Sequence, residues 1–191
     1  MTSIGLYGGR FDPVHRGHLA LARAAMNQFN LALLYIVPVY QPPHRPNTTA
    51  AFEHRLAMAQ VAFADWPKVV VSDVEEKRGG ISYTVETIDE LRRLHPDREL
   101  CLLIGADTAE EISTWKEPKR LARLVRLLVA PRLGSTLHLE PEWHCEHIRM
   151  QPMDISATAI RQAIRDGRPI RELVTDTVAE YIDRHRLYRS S

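Results

Sequence analysis

The chain has two cysteines, Cys101 and Cys145, among 191 residues. So few argue against a disulfide-stapled scaffold. With no basic, then apolar, leader pattern at the start, the expected setting is a reducing one, the cytoplasm. Long hydrophobic runs are also missing. The longest, LALLYIVPVY over 31–40, is about half of what spans a bilayer and contains a proline. Neither sign of charge dominates: 25 Lys and Arg face 24 Asp and Glu, a formal net charge of +1. That balance argues against a surface built to grip long nucleic acid, while leaving room for a local basic pocket around one small anion. There is no G-x-G-x-x-G fingerprint, no Walker A motif, no internal repeat and no low-complexity linker.

What is present is an ordinary globular mixture, 45% hydrophobic and 26% charged. The length suits one ample core, so residues 1–191 are expected to form a single domain. Short apolar runs alternate with helical patterns. Strands are expected at Ile4–Tyr7, Leu31–Val37, Val69–Val74, Leu100–Ile104 and Leu127–Ala130, with a sixth near Ile148–Met150. These runs are continuous rather than alternating, as in strands buried on both faces of a parallel sheet. Helical spacing relates Ala22, Ala25, Met26 and Phe29, then Phe52, Leu56, Ala59 and Phe63, then Val85, Ile88, Leu91 and Leu94. Two closing helices are expected over Ser156–Arg165, ending at Asp166-Gly167, and Val174–Arg184. The class is α/β: a Rossmann-like, doubly wound parallel sheet with helices on both faces and a C-terminal helical segment.

The first strand runs into GGRFDPVHRGH, residues 8–18, where a helical pattern begins. Ligands of such sheets bind beyond the carboxyl ends of the strands. Glycines there let backbone approach a ligand closely. A helix start offers unpaired N–H groups and a positive dipole end. His15 and His18 lie about one turn apart and can face the same anion. The physical reading is a phosphate site. Two others compete with it: a turn whose histidines only cap or pack, and a metal centre of Asp12, His15 and His18. Against the metal stand the constraint of Pro13 and the lack of a further ligand nearby.

This segment resembles the signature of the HxGH nucleotidyltransferase superfamily, with His15-Arg16-Gly17-His18 as the HxGH element. The resemblance implies ATP contacts at Gly8, Gly9, Arg10 and Phe11, and His15 and His18 as the catalytic pair. Further segments are similar to the bacterial nicotinate-mononucleotide adenylyltransferases. Pro42-Pro43-His44-Arg45 resembles their PPHK, with Arg45 where Lys is usual. Ser82-Tyr83-Thr84-Val85-Glu86-Thr87 resembles SYTxDT, with Glu86 for Asp. Ile104-Gly105-Ala106-Asp107, followed by Trp115, resembles IGxD…W. Ile155-Ser156-Ala157-Thr158-Ala159-Ile160-Arg161 resembles ISSTxIR, with Ala157 for the second Ser.

By this resemblance, Gly105, Asp107, Ser156, Thr158 and Arg161 join the ATP contacts, with Asp107 on the ribose. Arg45, Tyr83, Thr84 and Trp115 hold nicotinate mononucleotide, the tryptophan stacking on its pyridine ring. The implied reaction joins ATP and nicotinate mononucleotide to give deamido-NAD and pyrophosphate, with Mg²⁺ arriving on ATP and no metal held by the protein. On the residues alone, Ser82 or Thr84 reads equally well as a plain helix cap. His144-Cys145-Glu146-His147 lies on an extended segment whose neighbours point to opposite faces, so a zinc reading needs ligands from elsewhere. Arg120, Arg123 and Arg126 read as a solvated face.

Overall fold

The computed structural model describes residues 2–43, 48–130 and 140–189. Six strands form one parallel sheet in the order β3-β2-β1-β4-β5-β6. They are β1 (Ser3–Gly9), β2 (Leu33–Pro38), β3 (Val69–Val71), β4 (Glu99–Gly105), β5 (Arg126–Ala130) and β6 (Cys145–His147). The helices are α1 (Arg16–Gln28), α2 (Phe52–Ala62), α3 (Val74–Arg78), α4 (Thr84–Leu94), α5 (Ala106–Glu110), α6 (Pro118–Leu124), α7 (Ala157–Arg165) and α8 (Asp176–Arg184). This is the α/β, doubly wound, Rossmann-like architecture expected from the sequence.

The strand periodicity of two sorts each strand between two cores. Tyr7, Leu34, Ile36, Cys101, Leu103 and Leu128 meet α1, α2, α7 and α8 on one face, through residues such as Ala22, Ala59, Ile160 and Val178. Ile4, Leu6, Val37, Leu102, Ile104 and Leu127 meet α4, α5 and α6 on the other, through Ile88, Ala109 and Leu121. Burial on both faces is why the strand runs are continuously apolar. Crossovers leave β1 toward one edge and β4 toward the other. The crevice between their carboxyl ends is the topological switch point where such sheets take ligands.

Several boundaries differ from the sequence expectation. The third strand stops at Val71, because Asp73 starts α3, whose glutamates precede Lys77 and Arg78 in the order a helix dipole favours. The sixth strand lies three residues earlier than expected, at Cys145–His147. The Ile148 amide still donates to Val129 O at 2.8 Å, which shows why the apolar run attracted the assignment. On α2 the buried face carries Arg55 and Met58, with Leu56 only half-buried. Leu94 of α4 is 65% exposed, and Thr87 is buried instead. Arg120 and Arg126 are not simply solvated: Arg120 donates to both Asp89 oxygens at 2.7 and 2.8 Å, and Arg126 pairs with Glu99 and Glu146. The closing helices stand nearly where expected, and Gly167 follows α7 at φ 68°, the left-handed conformation a C′ glycine supplies.

An added atom at Gly5, in the centre of the sheet, would force neighbouring leucine side chains to shift. A Cβ there would stand 2.7 Å from Leu34 Cδ1 and 2.9 Å from Leu31 Cδ1. Gly5→Ala should therefore cost about 1–3 kcal/mol by overpacking, seen as a lower urea midpoint with an unchanged slope.

Candidate active site

A cavity of about 960 Å³ opens at the switch point. Its floor is the carboxyl ends of β1 and β4, and its walls come from the segments entering α1, α4, α5 and α7. The cavity gathers every described residue that the sequence singled out: Gly8, Gly9, Arg10, Phe11, His15, His18, Tyr83, Thr84, Gly105, Asp107, Trp115, Ser156, Thr158 and Arg161. His44 and Arg45 lie outside the described residues.

His15 caps α1, and its backbone N–H donates to His18 Nδ1 at 3.1 Å. That bond requires an unprotonated Nδ1, so neutral His18 carries its proton on Nε2. The two rings stack with centroids 3.6 Å apart. Gly17 keeps this packing unstrained, because a Cβ there would lie 3.1 Å from His15 Nδ1 and press on the ring. His15 Nδ1 is itself buried and has no hydrogen-bond partner among the described residues. Burial pulls His15 from the usual 6.5 down to about 4. His18 is pushed well below its ordinary value by burial and then by His15. Both imidazoles are neutral at neutral pH, donating hydrogen bonds without adding charge until an anion approaches.

The loop between β1 and α1 is held from beneath. Phe11 adopts a left-handed φ of 48° and packs edge-on against Tyr7 and His18 at 5.4 and 4.9 Å. Asp12 is buried; its carboxylate accepts from the amides of Thr49 and Ala50 at 2.6 and 3.1 Å and from the Tyr188 hydroxyl at 2.8 Å. Asp12 is thus a structural acceptor, which uses up the carboxylate that a metal reading needed. Arg55, fully buried, donates to the carbonyls of Arg10 and Ala50 at 2.9 and 3.2 Å. Arg161 donates to Asp12 O at 2.7 Å and to Thr158 Oγ1 at 3.1 Å. Ser156 caps α7, its Oγ accepting from the Ala159 amide at 3.1 Å.

On the opposite side Tyr83 occupies the cap position of α4 without a side-chain bond, and Thr84 is the first helical residue. The helix cap that Ser82 or Thr84 offered as the alternative reading is not formed. Ser82 Oγ instead accepts from the amides of Tyr40 and Gln41 at 3.2 and 3.1 Å, tying α4 to the chain leaving β2. Buried Glu75 accepts from the same Tyr40 amide at 3.1 Å and from the Thr87 hydroxyl at 2.9 Å. Trp115 follows a 3₁₀ turn, Ile112–Thr114. Its neighbour Lys116 donates to Glu86 at 2.6 Å and sits 4.2 Å above the Tyr83 ring. Arg55, Glu75, Lys116 and Tyr188 were not singled out from sequence. Only Arg55 left a signal, an arginine beside apolar positions on α2.

Among the described residues no group of three or more His, Cys, Asp or Glu side chains stands together to hold a metal ion, and no helix is long and apolar enough to cross a membrane.

Comparison with known proteins adds kinship to this geometry. A cytidylyltransferase-like family model matches residues 6–163. A protein of Salinibacter ruber named probable nicotinate-nucleotide adenylyltransferase is 38% identical, covering 98% of each chain. One of the same name from Thermomicrobium roseum is 39% identical over all of this chain and 93% of its own length. Among solved structures, Plasmodium falciparum nicotinic acid mononucleotide adenylyltransferase complexed with NaAD superposes with a TM-score of 0.79 at 18% identity, over 98% of both chains. At that identity the match speaks for the fold.

The depressed histidines link stability to pH. The unfolded chain binds protons at His15 near pH 6.5, the folded chain only near 4. Stability should be complete above about 6.5 and fall as pH drops toward 4, with His15 contributing up to about 3 kcal/mol of the loss. Urea unfolding of the ligand-free protein from pH 7 to 4.5 should therefore show a steeper loss than in His15→Gln, which has no ring to protonate.

Proposed function

We infer the chemistry from kinship first: the chain belongs to the cytidylyltransferase-like family, among its nicotinate-nucleotide adenylyltransferases. The reaction we propose joins nicotinate mononucleotide to ATP. An oxygen of the acceptor's 5′-phosphate attacks the α-phosphorus of ATP, the bond from that phosphorus to the bridging oxygen breaks, and pyrophosphate departs. The product is deamido-NAD. The observation that carries this reading is the single cavity joining the stacked His15–His18 pair at the start of α1 to Tyr83, Thr84 and Trp115 across the switch point.

On this reading Gly8, Gly9, Arg10 and Phe11 lie along the nucleotide, and Gly105 leaves the end of β4 open, since a Cβ there would meet nothing within 4 Å. Asp107 accepts from the ribose hydroxyls. The N–H groups at the start of α7, with Ser156 and Thr158, receive the outer phosphates. Arg161 can reach those oxygens by exchanging its Thr158 bond, while its bond to Asp12 O keeps the guanidinium in place. His15 and His18 donate to the α-phosphate and the departing pyrophosphate, and each gains a proton more readily as negative charge gathers beside it. Amide groups at the start of α4, around Tyr83 and Thr84, suit the nicotinate carboxylate, and Trp115 suits the pyridine face. Arg45 is assigned to the acceptor by its motif alone. Catalysis is positioning plus charge stabilisation, with no covalent intermediate. The divalent ion, Mg²⁺ in this proposal, comes as part of MgATP, held by phosphate oxygens and water.

We read residues 1–191 as one nucleotidyltransferase domain. In its support, α7 and α8 share a buried cluster with α1 and α2. Cys101 and Cys145 are free thiols, which fits a reducing cytoplasm.

Pyrophosphate release with MgATP should be strong with nicotinate mononucleotide and weak with nicotinamide mononucleotide or phosphopantetheine. Preference for either of the others would refute the acceptor assignment and leave the transfer chemistry standing. His18→Ala should lower kcat about 100-fold or more, at least as severely as it weakens ATP binding. Trp115→Ala should mainly raise the acceptor KM, about tenfold, and an unchanged KM would move Trp115 out of the acceptor site.

A further inference from the structure

The side of the cavity that carries Tyr83 and Trp115 has more acids than bases. Among the described lining residues there, Glu75, Asp107 and Glu111 are acidic and Lys116 alone is a cation. The lining arginines, Arg10 and Arg161, enter instead from the loop after β1 and from α7. Lys116 is placed by the chain around it. Trp115 closes the 3₁₀ turn, its amide donating to Ile112 O at 3.2 Å. Glu117 takes the left-handed conformation, φ 52° and ψ 52°, and Pro118 then starts α6. The side chain between them runs to the first turn of α4. There its ammonium donates to Glu86 Oε1 at 2.6 Å and stands 4.2 Å from the centre of the Tyr83 ring. Lys116 lines the cavity and Glu86 does not, so the ammonium stands between that carboxylate and the ligand space.

We propose that Lys116 is a specificity-determining residue: beside the amides of α4, its ammonium receives the ring carboxylate of the acceptor and so sets acid above amide. The proposal rests on the function proposed above and names the side chain that reads the ring substituent. An ammonium has three N–H donors. Glu86 takes one, and the face of Tyr83 attracts the charge without consuming a lone pair. An N–H is left for a second oxygen. The hydrogen bond to Glu86 also holds Lys116 above its ordinary value, so the group stays charged. A carboxylate arriving there gains a charge-assisted hydrogen bond. A carboxamide gains a weaker one through its carbonyl, and its own N–H₂ finds no acceptor on the ammonium. Both mononucleotides carry the same 5′-phosphate, so the difference lies at the ring substituent alone. Without the ammonium the preference inverts, because Glu86 repels a carboxylate and accepts from a carboxamide N–H₂.

The test sets Lys116→Met beside Glu86→Gln. Pyrophosphate release is followed with MgATP and either nicotinate mononucleotide or nicotinamide mononucleotide, and the readout is the ratio of the two kcat/KM values. The parent should favour the acid. In Lys116→Met the acid-to-amide ratio should fall about tenfold or more, with the loss in the acid's KM rather than in kcat. Glu86→Gln keeps the ammonium over Tyr83 and removes its competitor, so the ratio should rise about threefold. The two changes break the same ion pair and move selectivity in opposite directions. If Lys116 were only a strut between the Trp115 segment and α4, both variants would affect the two acceptors alike. An unchanged ratio in both therefore overturns the proposal and leaves the reaction standing. A ratio that falls in both variants also overturns it, because selectivity would then belong to the ion pair and not to the ammonium. So does a parent that uses acid and amide equally well. A parent that uses neither acceptor removes the function proposed above, and this assignment with it.

Discussion

The geometry of the cavity depends on keeping one negative charge satisfied below its surface. A buried carboxylate without donors is costly, and the structure brings Asp12 three of them from two distant segments. The same loop has its carbonyls engaged: Arg55 takes that of Arg10, and Arg161 takes that of Asp12 itself. With carboxylate and carbonyls both fixed, Phe11 is held in its left-handed conformation and its ring is driven against Tyr7 and His18. The orientation of the imidazole pair follows from that packing, so the geometry of the cavity at the start of α1 is a consequence of satisfied hydrogen bonds one layer down.

The pair is neutral in the ligand-free protein, since two stacked rings 3.6 Å apart in a buried setting cannot both carry charge cheaply. A site for polyphosphate built from fixed cations would hold product as firmly as substrate. On the function proposed above, the neutral pair avoids this, because its charge rises only in response to the anion beside it. Helix starts at α1 and α7 and the Arg161 guanidinium supply the standing positive potential.

Much of the sheet was legible because burial on both faces writes a strand as an unbroken apolar run, and strands alternating with helical patterns point to a doubly wound parallel sheet. The glycine and histidine residues of the first loop were legible because motif and position coincided at a strand end. Four things were not. Arg55 fills an apolar stripe on α2, and only its two carbonyl partners explain it. Asp12 looked like a potential ligand, whereas its donors lie at positions 49, 50 and 188, invisible to local spacing. Ser82 looked like a cap but serves Tyr40 and Gln41, a tertiary contact. The short helices α3, α5 and α6 escaped because five to seven residues carry too little periodicity to register.

The two walls of the cavity are fastened by different physics. The segment carrying Trp115 is joined to α4 by partly exposed ion pairs, Lys116 with Glu86 and Arg120 with Asp89, which continue through Arg78 to Glu86 and Glu90. The loop between β1 and α1 is joined to its neighbours by buried hydrogen bonds. Ionic strength screens the first kind of fastening and barely touches the second. Salt is therefore a one-sided solvent variable for this molecule, loosening the wall that carries Trp115 while leaving the loop between β1 and α1 as it was.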